Sequence, residues 1–321
     1  MAGSTCGAGS LTLAPLVNQR PSGQHNWVGL YLVERLHARL QGQAGLNLRS
    51  LELGRLAQAK KQDPVTDAVI WGNFQRVGDQ LFAKFSVKAG KASFGVELTS
   101  SMAELEPKLD QLAQGLSEKL GNRYQGGEAP AFPQGDQPRH QAVLQLRQDS
   151  FDEPQPEDKW KHLVAEVGAY GAEREIVLLA EVMLISGKLV AEDARTRHYA
   201  KVERLIKTAL ERFPKSAGLK ALLAESFYLM QSYSSWVEKT AEEAVKADPY
   251  NELAWLMLAL ARGPSSGGGR EALLKLDALS PWIWPMKIDE THFQTGLLNK
   301  ELAYCYQELK QTKNPDPFRL Q

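Results

Sequence analysis

Cysteine is almost missing from this chain. Cys6 and Cys305 stand at opposite ends of 321 residues, with no CxxC pair, so a disulfide framework and a cysteine metal clip are excluded and two free thiols are expected. An excess of one charge is missing too. The 38 Lys and Arg balance 38 Asp and Glu to a formal charge of zero, which removes the strong field that draws basic proteins to nucleic acid or an anionic membrane. Long apolar runs are also absent. The longest, Ile176 to Ile185, is broken by Glu181 and falls short of the ~20 residues that span a bilayer, so no membrane insertion is expected. Met1 to Ser10 has neither the positive region nor the apolar stretch of a signal peptide. The expected address is therefore cytoplasmic as written, or periplasmic if a leader has been removed.

Reactive motifs are equally scarce. Gly267 to Gly269 lacks the GxxxxGK[ST] frame and the preceding strand that a phosphate cradle requires, and reads as a loop. His162 and Glu166 lie four apart without a second histidine at ligand spacing, which gives no metal site. No GxSxG elbow is present, and no cysteine has a neighbouring histidine. No catalytic, cofactor-binding or metal-binding residue is assigned, and the chain reads as non-enzymatic.

What is there divides in two, as expected for a chain longer than one core usually grows. Leu11 to Val17 reads as a strand with Pro15 at an edge or bulge, Asn18 to Asn26 as a loop, and Trp27 to Leu40 as an amphipathic helix capped by Asn26. Leu46 to Leu51 alternates as a second strand, and Leu53 to Lys61 forms a short helix. Then come Ala68 to Phe74, Leu81 to Val87 and Ala92 to Leu98, joined at Gly78-Asp79 and Ala89-Gly90, the pattern of consecutive hairpins. A helix from Glu104 to Leu120 stops at Gly121. The order β-α-β-α-β-β-β-α predicts a small mixed sheet with helices. Asp67 to Leu81, with its Ala68-Val69-Ile70-Trp71-Gly72-Asn73-Phe74 strand and Gly78 turn, resembles the amino-terminal domain of TolB and related domains that precede tetratricopeptide repeats in bacterial signalling proteins. The chain departs from that pattern at Leu16 and at Gly29-Leu30-Tyr31-Leu32.

The second half repeats itself. Apolar runs of helical period come in pairs, each closed by a proline: Thr208-Ala209-Leu210 before Pro214, Ala244-Val245-Lys246 before Pro249, and Leu274 to Leu279 before Pro281. Pro214, Pro249 and Pro281 are 35 and 32 residues apart. With Ala221, Ala224, Tyr228, Val237, Ala241 and Ala244 in one unit and Trp255, Leu258 and Ala259 in the next, the chain resembles the tetratricopeptide repeat family, whose period is 34 residues. Ala244, Asp248-Pro249 and Trp255 form the most specific run. A generic amphipathic bundle also places Ala and Leu at these spacings, but gives no reason for regular proline-terminated pairs.

The expected organisation is a flexible N-terminus over 1–10, a TolB-like α/β domain over 11–121, a Pro/Gly/Gln-rich linker over 122–159, and an all-α, tetratricopeptide-like solenoid over 160–321 ending in a capping helix. Gly187 to Arg195 is read as an insertion, and Gly263 to Gly269 as a loop before a short helix over Leu273 to Leu279. First helices of stacked units line a groove, so Lys220, Ser226, Tyr228, Asn251, Glu252 and Trp255 are candidate contacts for a partner protein. Trp282 and Trp284 join them as residues of the aromatic type that interfaces favour, with capping-core filler as the alternative. The expected function is a protein-interaction scaffold or adaptor whose groove takes a peptide or helix of a partner, the α/β domain offering a second docking surface. Self-association stays open. The alternative is the ligand-sensing or regulatory portion of a bacterial envelope or signalling system.

Overall fold

In the computed structural model the described residues are 10–14, 16–19, 25, 27–40, 47–50, 68–121, 124, 137–279 and 299–313. The helix expected over Leu53 to Lys61 lies outside them, as do Trp282 and Trp284. The chain separates into two units, Met1–Gln141 and Ala142–Gln321.

The first unit is built on one sheet of order β3-β1-β4-β5-β6, with β2 also paired to β4. Strand β1 (Ser10–Leu13) and the two-residue β2 (Val17–Asn18) flank Pro15, where one longer strand was expected. Proline cannot donate to a ladder, which breaks such a run. Helix α1 (Trp27–Leu40) then leads to β3 (Asn47–Ser50), which pairs parallel to β1. Strands β4 (Ala68–Val77), β5 (Gln80–Ala89) and β6 (Ala92–Ser101) run antiparallel as two hairpins. Each turn has two residues, and its first, Gly78 or Gly90, sits at positive φ, 61° and 54°. That is the glycine position of a type II′ hairpin, whose twist matches the strands it joins.

Alternation along these strands sends Ile70, Phe74, Leu81, Ala83, Phe85 and Val87 into the core. There they meet α1 and α2 (Leu105–Lys119), which pack on each other. Between the helices lies an ion cluster. Glu106 accepts hydrogen bonds from Tyr31 Oη at 2.7 Å, Arg35 Nη2 at 2.6 Å and Arg39 Nη2 at 2.7 Å, while Arg39 Nε reaches Asp110 at 2.5 Å. Both arginines are buried. Gly29 brings α1 close to the sheet: a Cβ there would collide with the carbonyl of Leu16 and lie 3.0 Å from the Phe74 ring.

The stretch read as a linker over 122–159 contains a helix. α3 spans Gln137–Asp152, with Pro138 in its first turn, where no intrahelical N–H is needed. Val143, Leu144 and Leu146 are buried, and Arg147 with them. Its polar composition hid it, because the helix is held by tertiary contacts and not by an apolar stripe. The unit boundary falls inside it.

Helices fill the second unit: α4 (Glu157–Tyr170), α5 (Glu173–Ser186), α6 (Glu192–Arg212), α7 (Ala217–Leu229), α8 (Ser234–Ala247), α9 (Glu252–Arg262), α10 (Gly267–Leu279) and α11 (Asn299–Lys313). Each packs on the next, and the alternate helices α5, α7 and α9 also meet in a row. That row is the core. In α5 every residue from Glu175 to Ser186 is buried, and in α7 Leu219 and all of Ala221 to Phe227. The flanking α6 and α8 bury single stripes, Val237, Ala241 and Ala244 in the case of α8. Where an insertion was expected over Gly187 to Arg195, a 3-10 turn (Gly187–Leu189) continues α5 and α6 starts at Glu192. The glycine run likewise belongs to α10, not to a loop. Ser266 Oγ accepts from Gly269 N at 3.0 Å and caps that helix, which offsets the low helix propensity of glycine.

Four connections in a row have four residues each: Phe213 to Ser216, Met230 to Tyr233, Asp248 to Asn251 and Gly263 to Ser266. Three carry proline at their second place and Ser or Asn at their fourth. The fourth residue caps the next helix in each of those three, Ser216 accepting from Leu219 N at 3.1 Å and Asn251 Oδ1 from Ala254 N at 2.9 Å. Arginines close the helix ends. Arg212 donates to the carbonyls of Gly168 and Gly171 at the end of α4, and Arg262 reaches both Glu238 and Glu242 on α8.

Candidate docking surface

The first turn of α7 and the last turn of α8 lie side by side and leave a hollow of about 420 Å³ lined by Lys215, Lys220, Glu243, Lys246 and Ala247. Sequence position explains each. Lys215 sits beside the cap Ser216, Lys220 is one turn into α7, and Glu243 and Lys246 end α8. Lys220 Nζ stands 3.5 Å from Glu243 Oε2, and the lining carries three lysines to one glutamate. Lys246 is placed well, at the negative end of a helix. Lys215 and Lys220 are not, because they crowd the positive end of α7, where the helix dipole favours an anion. The lining thus carries an excess of positive charge that a carboxylate or other anion would relieve.

At the other end of the same two helices is an aromatic cluster. Tyr233 and Trp236 are 74 % and 54 % exposed, their rings 5.5 Å apart and edge to face. Phe227 lies 5.9 Å from Trp236, with Lys207 Nζ 5.4 Å from the Phe227 centroid. Exposed aromatics of this kind supply rigid contact area to protein partners.

The contact residues chosen from the sequence have mixed fates. Lys220 lines the hollow. Ser226 is buried and donates to the carbonyl of Leu223 at 3.1 Å, so it is no surface contact: α7 is covered on nearly every side, and a residue expected on an open face ends inside. Asn251 is the cap of α9, and Glu252 follows it in the first turn. Trp255 donates from Nε1 to the carbonyl of Pro249 at 2.8 Å, which pins the connection before α9. Tyr228 is half-buried; burial, and then the Glu301 carboxylate of α11, push its hydroxyl up to about 12.

Lys215, Lys246 and Glu243 are not among the contact residues expected from the sequence. Their signal was present in the helix termini, where short connections force side chains of neighbouring helices together. Among the described residues no group of three His, Cys, Asp or Glu could hold a metal, and no helix is long and apolar enough to cross a membrane. Compared with family models, with curated proteins and with solved structures, the chain has no match.

Proposed function

We propose that the protein is a non-enzymatic interaction scaffold whose second unit, a tetratricopeptide-like stack of helix pairs, binds an acidic segment of a partner protein at the Lys215–Lys220–Lys246 hollow. One observation carries the proposal: a hollow lined by three lysines and one glutamate, with Lys215 and Lys220 at the positive end of α7. The recurrence of α7 and α9 starts, 35 residues apart at Ala217 and Glu252, with equivalent caps and proline-bearing connections, supports the repeat character. So does the row of alternate helices in contact. The exposed Tyr233 and Trp236 give the same partner an apolar anchor, and the α/β unit offers a second surface.

A fluorescent oligo-glutamate peptide tests this on the full chain. It is expected to bind with an affinity that falls as salt rises. Reversal of Lys215, Lys220 and Lys246 to Glu is expected to weaken it by more than about tenfold, equivalent to ~1.4 kcal/mol. Equal binding by the reversed variant overturns the proposal.

A further inference from the structure

From Ser93 to Thr99 the last strand of the sheet carries a hydrogen-bonding edge that no described residue uses. β6 ends the strand order and runs ten residues against β5 in an unbroken register that closes at Ala89↔Ala92. A two-residue turn closes on a hydrogen-bonded pair, and pairing alternates from there. The N–H and C=O groups of Phe94, Val96, Leu98 and Ser100 therefore point to β5. Those of Ser93, Gly95, Glu97 and Thr99 point outward, while the Ser101 carbonyl accepts from Glu104 N at 3.2 Å and Ser100 Oγ at 2.8 Å. Edges of this length are normally blocked by lysine, proline or a bulge. β6 has none of these, and its one charge is Glu97.

The side chains select the partner. Phe94 and Val96 lie on the core-facing side of β6 yet stay half-buried, whereas Leu98 on the same side is buried. Laid antiparallel with Val96 opposite Val96, a second β6 sets Phe94 against Leu98 and covers the apolar row from both sides. On the outer face the same register sets Ser93 against Thr99 and Gly95 against Glu97. Each Glu97 then meets a glycine and keeps its own neighbour Lys84, 3.5 Å away across the β5 pairing. The rival register of equal length is centred on Glu97 and puts two carboxylates face to face, which is unfavourable. Centres between residues put apolar side chains on the wrong face.

We propose that two copies of the chain pair through β6 about a two-fold axis at Val96, joining their sheets into one. The pairing is independent of the acidic-segment site, since it uses the other unit. At the axis Val96 and its counterpart form a non-hydrogen-bonded pair with Cα atoms about 4.5 Å apart, within disulfide reach.

Two measurements on the full chain decide it. By light scattering over a dilution series, the wild type is expected to approach twice the chain mass. Glu97→Pro removes an outward N–H and leaves the β5 ladder intact, so it is expected to halve that mass with circular dichroism unchanged. In a Cys6→Ser/Cys305→Ala background, Val96→Cys is expected to form a covalent dimer on oxidation, and Glu97→Cys is not. If Glu97→Pro fails to fold, the cysteine pair decides alone. A wild type that stays monomeric, a dimer that survives Glu97→Pro, or cross-linking at 97 in place of 96 overturns the proposal.

Discussion

Arg147 Nε donates to the Glu181 carboxylate at 2.6 Å, with the two side chains only 4 % and 10 % exposed. The pair fastens α3, whose sequence reads as linker, to the most buried helix of the second unit. Removing Arg147 leaves the Glu181 carboxylate stranded inside. Arg147→Met is expected to cost about 3–5 kcal/mol, and Arg147→Met with Glu181→Leu to recover most of it, because an apolar pair of similar volume replaces a desolvated ion pair at little cost. Urea unfolding followed by circular dichroism measures both; a single variant as stable as wild type contradicts the assignment.

Glu106 makes the first unit sensitive to acid. Burial alone would raise its pKa, but hydrogen bonds from Arg35, Arg39 and Tyr31 outweigh it and hold the carboxyl at about 2, below the ordinary 4.5. The folded value is depressed, so the stabilisation is complete above pH 4.5 and is lost as the pH falls toward 2. Glu106→Gln is therefore expected to be less stable than wild type at neutral pH, with the gap closing across that window. A gap that does not change with pH would mean the carboxylate is not ionised in this cluster.

Ser216 and Asn251 occupy equivalent places before α7 and α9, and each accepts one orphan N–H. Alanine at either is expected to cost about 1 kcal/mol, and glycine a few tenths. Thermal unfolding should show matched losses for the two alanine variants. Losses that differ severalfold would argue against equivalent units.

Cys305 is buried, and its thiol is pushed up to about 12, first by burial and then by the carboxylates of Glu301 and Glu308. Such a thiol is inert. Iodoacetamide at neutral pH is expected to leave it unmodified in the native protein and to label it once denaturant is added, as read by peptide mass spectrometry. Native labelling would show that α11 detaches.

Much of this architecture is visible in the sequence where the causes are local. The β4–β5–β6 hairpins follow from two-residue alternation and from Gly78 and Gly90 at turn positions. Helices α7 to α9 follow from period, caps and proline. Nonlocal causes stayed hidden. No spacing rule shows that Arg147 will meet a glutamate 34 residues on, so the sequence offers no more of α3 than a turn over Ala142 to Leu146. Ser266 caps a glycine-rich first turn that composition alone assigns to a loop. For the candidate site, Lys220 was legible as a helix-face charge. Its companions Lys215 and Lys246 come from a connection and a helix end, and only packing makes them neighbours. Ser226 shows the converse error, since periodicity gives the faces of α7 but not how many of them are covered.

The burial of α5 from Glu175 through Ser186 sets the order in which the second unit comes apart. A helix with no face to water has no intrinsic solubility, and its amides exchange with solvent only when its wrapping of earlier and later helices opens. Removing α4, α6 or α7, the helices that pack on it, therefore strips this rod: a protein so truncated should precipitate long before it loses helical content, and residues 175–186 of the intact chain should be the last to take up deuterium.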